Sequence, residues 1–181
     1  MKIQPLNIDS KKKYILVYTI CFIVMAFAAS LPWIVTGTSF VWKIDGQGQH
    51  YPALVYLGQT LRELFVGVFS GHPKWNMWDL NIGFGSDVVG TLNYYCIGDP
   101  LDLLSVFVPK AYTEYLYEFL IIFRMYLAGL AFSAFAFYKK AKYYPTLIGA
   151  FVYTFSGYVL MYGIKHPFFT NPLIYLPLLI I

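Results

Sequence analysis

Tyr14-Ile15-Leu16-Val17-Tyr18-Thr19-Ile20-Cys21-Phe22-Ile23-Val24-Met25-Ala26-Phe27-Ala28-Ala29-Ser30-Leu31-Pro32-Trp33-Ile34-Val35 is a run of twenty-two residues without a charge. At about 1.5 Å of rise per helical residue, about 20 apolar residues cross the hydrocarbon core of a bilayer. The run is therefore long enough to span. Within ten positions comes the polar cluster Trp42-Lys43-Ile44-Asp45-Gly46-Gln47-Gly48-Gln49-His50-Tyr51-Pro52. The chain thus delivers an acid, two amides and an imidazole, set around two glycines, to the membrane surface as soon as it leaves the bilayer. Asp45 is the first candidate among them for chemistry.

Hydrophobic residues make up 59% of the chain and charged ones 12%, against about 25% charged residues in an ordinary soluble domain. That balance predicts an integral membrane protein. The net charge of +4 does not point to nucleic acid, because the positive residues sit where membrane topology wants them. Lys2, Lys11, Lys12 and Lys13 precede the first apolar run, and Lys139, Lys140 and Lys142 follow a second. Basic residues beside span ends mark cytoplasmic segments. Between Thr36 and Tyr115 four basic residues (Lys43, Arg62, Lys74, Lys110) face seven acidic ones (Asp45, Glu63, Asp79, Asp87, Asp99, Asp102, Glu114), so this stretch reads as extracytoplasmic. Cys21 lies in the first run and Cys96 in the outer loop, which gives neither a disulfide framework nor a metal spacing. No metal or other cofactor is expected.

The expected topology is a cytoplasmic N-terminus (1–13), a first span (14–35), an extracytoplasmic loop (36–115), a second span (116–137), a cytoplasmic loop (138–145) and a third span (146–163). Residues 164–181 then form an outer loop and the start of a fourth apolar segment near Phe168. The expected fold is an all-α membrane protein, a polytopic helical bundle whose long first outer loop carries interfacial helices. A natural end at Leu176-Pro177-Leu178-Leu179-Ile180-Ile181 would leave carbonyls unpaired in hydrocarbon, so the sequence is expected to be the N-terminal piece of a longer protein. A cleaved signal peptide would show the same lysines, apolar stretch and small residues at Ala28-Ala29-Ser30. Continuation of the apolar run through Leu31-Pro32-Trp33-Ile34-Val35 favours a retained anchor.

The outer loop is too long and too aromatic for a passive connector. Leu54, Leu57, Leu61, Leu64, Phe65 and Val68 recur at helical spacing with Gln59, Arg62 and Glu63 on other faces, which predicts an amphipathic helix. Such a helix lies in the interface plane or forms the core of a small outer lobe. Gly71 to Asp87 has no sustained period, many glycines and paired tryptophans, and reads as a structured loop. Asp99-Pro100-Leu101 then turns the chain into an apolar segment, Leu101 to Val108, closed by Pro109.

In Asp45-Gly46-Gln47-Gly48-Gln49-His50 the glycines permit backbone geometries closed to other residues and close approach of a substrate. Desolvation at the edge of a low-dielectric layer favours proton uptake by a carboxylate, as a general base requires. Gln47 and Gln49 can bond sugar hydroxyls. The plainer reading is a turn after a membrane helix, where Asp-Gly is common. Trp75, Trp78 and Phe84, with Asn76, Asp79, Asn81 and Asp87, suit carbohydrate, and the tryptophans equally suit an interface belt. Arg124 lies inside the second span, a costly position unless it snorkels, pairs or faces a cavity; a lipid phosphate or Glu118 would serve as partner. Lys165 and His166, at the outer end of the third span, fit interfacial anchoring or a contact to a headgroup.

The ordered motifs resemble the N-terminal part of the YfhO family of bacterial membrane proteins, which are similar to the GT-C class of glycosyltransferases. The resemblance rests on the basic N-terminus and first span, Asp45-Gly46-Gln47-x-Gln49-x-x-Pro52, Trp75-Asn76, Asn81-x-Gly83-x-Gly85, Asn93-Tyr94-Tyr95 and Asp99-Pro100-Leu101. Arg124 and Phe155-Ser156-Gly157 continue the series. It implies a GT-C-like bundle using a polyprenyl-phosphate-linked sugar donor and a cell-envelope glycopolymer acceptor such as teichoic acid. Asp45 takes the position of the catalytic base. Gln47, Gln49, His50, Trp75, Asn76, Asn81 and Asp99 become substrate-binding candidates on the loop. Arg124, with Lys165 behind it, becomes the candidate for the phosphate, and His166 remains a further substrate-binding candidate near the headgroup level. The alternative is a non-enzymatic transporter or assembly subunit that binds a glycan or headgroup. A transporter should carry ionisable residues near mid-membrane on several spans, and here they gather outside the spans.

Overall fold

The computed structural model describes residues 7–181; Lys2 of the basic N-terminus lies outside them. The chain divides into two compact units, one made of the residues up to Thr38 together with Ile121–Ile181, the other of Ser39–Leu120. Among the described residues both are helical, apart from one two-residue ladder.

In the first unit α1 (Lys11–Thr36) starts where Ser10 Oγ accepts the Lys13 N–H at 3.4 Å. It stops at Gly37, whose φ of 62° closes a paired C-terminal cap. The Gly37 N–H reaches Ile34 O at 3.3 Å and the Thr38 N–H reaches Trp33 O at 3.0 Å, the bonding pattern that a left-handed glycine makes possible. This helix and α4 (Thr113–Tyr138) hold the apolar stretches long enough to cross a membrane. Tyr14, Tyr18, Phe22 and Ala26, four apart, form the one buried stripe of α1. Leu16, Ile20, Ile23, Val24 and Phe27 around them are exposed. An apolar helix packed along one stripe only needs lipid on the rest of its circumference.

The stripe packs ring against ring. Tyr14 meets Phe137 edge-on at 4.8 Å, and Tyr18 lies 5.4 Å from both Tyr126 and Phe151. Gly129 makes this approach possible, since a Cβ there would collide with the Tyr18 hydroxyl and stand 2.7 Å from Thr154 Oγ1. Small residues let membrane helices close in this way, and hydroxyls then bond across the seam. Ser133 Oγ donates to Gly129 O at 2.6 Å, so the Tyr14 hydroxyl donates to Ser133 Oγ at 2.7 Å. The Tyr18 hydroxyl donates to Tyr126 O at 3.0 Å.

Residues 146–163, expected as a single span, are two helices in the structure. α5 (Tyr143–Thr154) ends, and α6 (Gly157–Tyr162) begins with Ser156 as its cap, accepting the Val159 N–H at 3.4 Å. Twelve residues in α5 rise about 18 Å, less than a hydrocarbon core. The serine side chain, competing for backbone hydrogen bonds, divides the apolar run. α7 (Pro167–Leu179) follows, with Pro172 and Pro177 inside it.

In the second unit α2 (Tyr51–Phe69) continues upstream into a wider helical turn, Gly46–His50, in which the Gln47 N–H bonds Trp42 O at 2.8 Å. The first half of α2 is the core of the unit. Ala53 and Leu57 pack with Val88, Leu92 and Cys96, while its end exposes Phe65, Val66, Val68 and Phe69. A 3-10 segment, Asp102–Phe107, lies on α2 so closely that a Cβ at Gly58 would stand 2.7 Å from Ser105 O. Arg62, on another face of the helix than the leucines, donates from Nη1 to Ser105 O at 2.8 Å and Val108 O at 2.6 Å. It caps the carbonyl end of that segment. Strands β1 (Trp78–Asp79) and β2 (Ser86–Asp87) pair antiparallel, Trp78 opposite Asp87. α3 (Val88–Leu92) follows, capped by the Asp87 carboxylate on the Gly90 N–H, and a second wide turn covers Asn93–Ile97.

Candidate functional site

A cleft of about 340 Å³ opens in the second unit between the start of α2, the β1–β2 loop, α3 and the turn after it. Its polar wall is Gln49, Tyr56, Asn81, Thr91 and Tyr95, and Pro52, Ala53, Ile82 and Leu92 line the rest. Two of the expected residues, Gln49 and Asn81, are brought together here. Gln49, Pro52, Ala53 and Tyr56 reach it because they fall at i, i+3, i+4 and i+7 of one continuous helical segment.

Asp45 stands beside the cleft, half-buried, and its Oδ1 accepts Gln49 Nε2 at 3.3 Å. Gln49 is fixed from the other end, since the Tyr95 hydroxyl donates to Gln49 Oε1 at 3.0 Å. The amide thus points its NH2 at the acid. His50 is buried, its ring edge-on to Tyr95 at 5.2 Å. Gln47 is exposed and outside the cleft. Gly46 and Gly48 have no positive φ, so their role is space rather than backbone freedom. A Cβ on Gly46 would stand 3.2 Å from Trp42 Cβ, while one on Gly48 would meet nothing within 4 Å.

Other acids of this unit are held by local partners. Asp79 accepts the Tyr56 hydroxyl at 2.6 Å, the Asn81 N–H at 2.8 Å and Asn81 Nδ2 at 2.9 Å. The Tyr56 hydroxyl first, and then the Asn81 N–H, hold its carboxyl below the usual range. Burial, followed by the Asp79 acceptor, pushes the Tyr56 phenol up to about 12. Asp87 caps α3. Asp99, expected to bind substrate, is buried in a turn where its Oδ1 accepts the Leu101 N–H at 2.9 Å, and it does not reach the cleft. Burial, then the charges of Asp102 and Asp99, push the Cys96 thiol up. It donates to Ala53 O at 3.6 Å, a structural contact. Trp75 is half-buried and Asn76 exposed, both away from the cleft.

Arg124, Lys165 and His166 belong to the first unit. Arg124 is buried within α4. Lys165 Nζ lies over the Tyr162 ring at 4.6 Å, and the His166 ring sits 4.2 Å from Phe168 at the start of α7.

A family model described as "Bacterial membrane protein YfhO" matches residues 16–181. The chain belongs to the YfhO family. It is a membrane protein, in agreement with the two long apolar helices. Neither the curated proteins nor the solved structures gave a match. The family match runs through both units, so this YfhO chain carries the cleft and the membrane helices within one family region.

Tyr56, Thr91 and Tyr95 are the site residues that sequence reasoning missed. The signal for Tyr56 was the helical period, which extends upstream of Leu54 to Gln49. Tyr95 lay inside a quoted family motif. Nothing in the local pattern around Thr91 marks it, because α3 is brought to the cleft by the β1–β2 pairing.

Proposed function

We propose that this YfhO-family chain contributes the surface site of an extracytoplasmic membrane glycosyltransferase. The intact protein moves a sugar from a polyprenyl-phosphate donor to a cell-envelope polymer such as teichoic acid, with inversion. The observation that carries this reading is the Asp45 carboxylate, oriented by Gln49 at the edge of a cleft walled by amides and hydroxyls. Its Oδ1 is engaged by Gln49, which leaves Oδ2 as the proton acceptor.

In the proposed step the acceptor hydroxyl oxygen attacks the anomeric carbon and its proton passes to Asp45. The bond from that carbon to the phosphate oxygen breaks, and the electron pair leaves with the lipid phosphate. The transition state has oxocarbenium character, and cations stabilise charge developing on the phosphate. Arg124, with Lys165 behind it, is the proposed in-chain candidate for that task. The N-terminus lies in the cytoplasm and the cleft outside, as the lysine distribution suggests. From Ile121 to Tyr138 Arg124 is the one charged residue, and Tyr14–Val35 has none. That distribution supports surface chemistry over passage through the bilayer.

The test is Asp45→Asn in the intact protein, assayed for glycosylation of envelope polymer in membranes. Loss of a general base should lower the rate by about 10²–10⁴-fold. Wild-type transfer at normal expression would remove Asp45 from the mechanism.

A further inference from the structure

The glycosyltransferase reading leaves open which part of the substrates the cleft holds, and the charges around it decide this. No Lys, Arg or His is among the residues lining it. The two carboxylates next to it are both acidic neighbours of lining amides, Asp45 on Gln49 and Asp79 on Asn81. Asp79 accepts three donors and is held ionised by them. An anion entering the cleft would therefore meet negative charge with no Lys, Arg or His among the lining residues to offset it, the kind of repulsion that gives a site its specificity. An uncharged polyol meets a different wall. Gln49 and Asn81 each keep a second amide N–H to donate. Thr91 and the phenol oxygens of Tyr56 and Tyr95, whose protons go to Asp79 and Gln49, offer acceptors. Tyr56, Tyr95, Pro52, Ile82 and Leu92 offer apolar faces for the C–H side of a ring.

Two geometric facts favour a ligand over bulk water alone. About 340 Å³ falls in the range of small-molecule sites, which begins at about 300 Å³. The open side is formed in part by Gly48 and Gly83, and a Cβ on either would meet nothing within 4 Å. The backbone there is free for close approach.

We propose that this cleft is a subsite for an uncharged sugar ring and that it discriminates against anionic sugars and sugar phosphates. The phosphate of the lipid donor is then bound elsewhere in the intact protein. This inference rests on the glycosyltransferase reading for its place in a reaction, but its binding test does not.

The test uses the full-length protein in detergent and ligand-observed NMR titration with three probes: methyl glucoside, glucuronate and glucose 1-phosphate. Methyl glucoside should bind, and the two anions should bind at least about ten-fold more weakly. Gly48→Leu, whose Cβ would meet nothing within 4 Å, puts a side chain at the cleft mouth and should abolish glucoside binding, with thermal stability measured alongside to show that the fold is kept. Asp79→Asn should narrow the gap between glucuronate and glucoside. Absence of glucoside binding, equal or tighter binding of either anion, or full binding by Gly48→Leu would overturn the proposal. Binding retained in Asp45→Asn with loss of transfer supports both this subsite and the base. Full transfer by Asp45→Asn with glucoside still bound sinks the base alone.

Discussion

The two units put polar side chains to different uses. In the unit built on α1, α4 and α5 a hydroxyl on one helix meets a hydroxyl or carbonyl on the next, as Tyr14 meets Ser133 and Tyr18 meets Tyr126 O. These bonds glue seams that lipid cannot drive together. In Ser39–Leu120 polar side chains instead satisfy the backbone of irregular segments. Arg62 gathers carbonyls of the 3-10 segment, and Asp79, Asp87 and Asp99 each hold a backbone N–H. An irregular lobe has many such groups to satisfy. The contrast shows why an acid count is a poor guide to a site. Asp79, Asp87 and Asp99 each serve a backbone N–H, whereas the partner of Asp45 is the side-chain amide of Gln49 at the cleft edge, and the proposed chemistry is assigned to Asp45 on that ground.

The strongest way to break this comparison is Arg62→Met. It strips a cation from two close carbonyls and should cost about 3 kcal/mol, read as a lower Tm of the detergent-solubilised protein. Unchanged stability would mean that packing alone holds residues 102–107. Next come the two close approaches, one in each unit. Gly58→Val and Gly129→Val should each destabilise by about 2 kcal/mol through overpacking. A neutral result at Gly129 would show that the Tyr18 seam is looser than the structure has it. Tyr14→Phe sharpens the first half of the comparison, because Ser133 keeps its bond to Gly129 O. The expected loss is about 0.6 kcal/mol, and unfolding measurements that show several times that value would mean a wider network. A separate effect is confined to alkaline pH. Tyr56 ordinarily ionises at 10.0 and is raised to about 12 in the fold. Its protonated form is therefore favoured by folding, and that stability is complete below pH 10 and lost as pH rises toward 12. Tyr56→Phe should remove this part of the pH dependence in a stability titration, and an identical alkaline slope would show that the Asp79 contact contributes nothing.

Much of the fold was legible because long-range apolar patterns are strong signals. The uncharged run Tyr14–Val35 lies within α1. The period from Leu54 to Val68 lies within α2. The break at Phe155-Ser156 was hidden because hydropathy does not register a cap, and Ser156-Gly157 scores as two small residues in an apolar stretch. The partner of Arg62 was hidden for a related reason. Helical spacing puts it on a polar face, and only the tertiary position of residues 102–107 turns that face inward. At the site Gln49 and Asn81 were visible as amides near glycines. Asp99 was not separable from a functional acid, because whether a carboxylate serves a backbone N–H or a substrate depends on the turn it closes.

The central claim is tested most directly by a paired assay of Asp45→Asn and Asp87→Ala in the intact protein, measuring polymer glycosylation and thermal stability on the same preparations. Asp87→Ala should lose about 1 kcal/mol of stability with its helix cap and keep transfer. Asp45→Asn should keep its Tm and lose transfer by about 10²–10⁴-fold. Wild-type transfer by Asp45→Asn, or inactivity of Asp87→Ala at normal stability, would contradict the account.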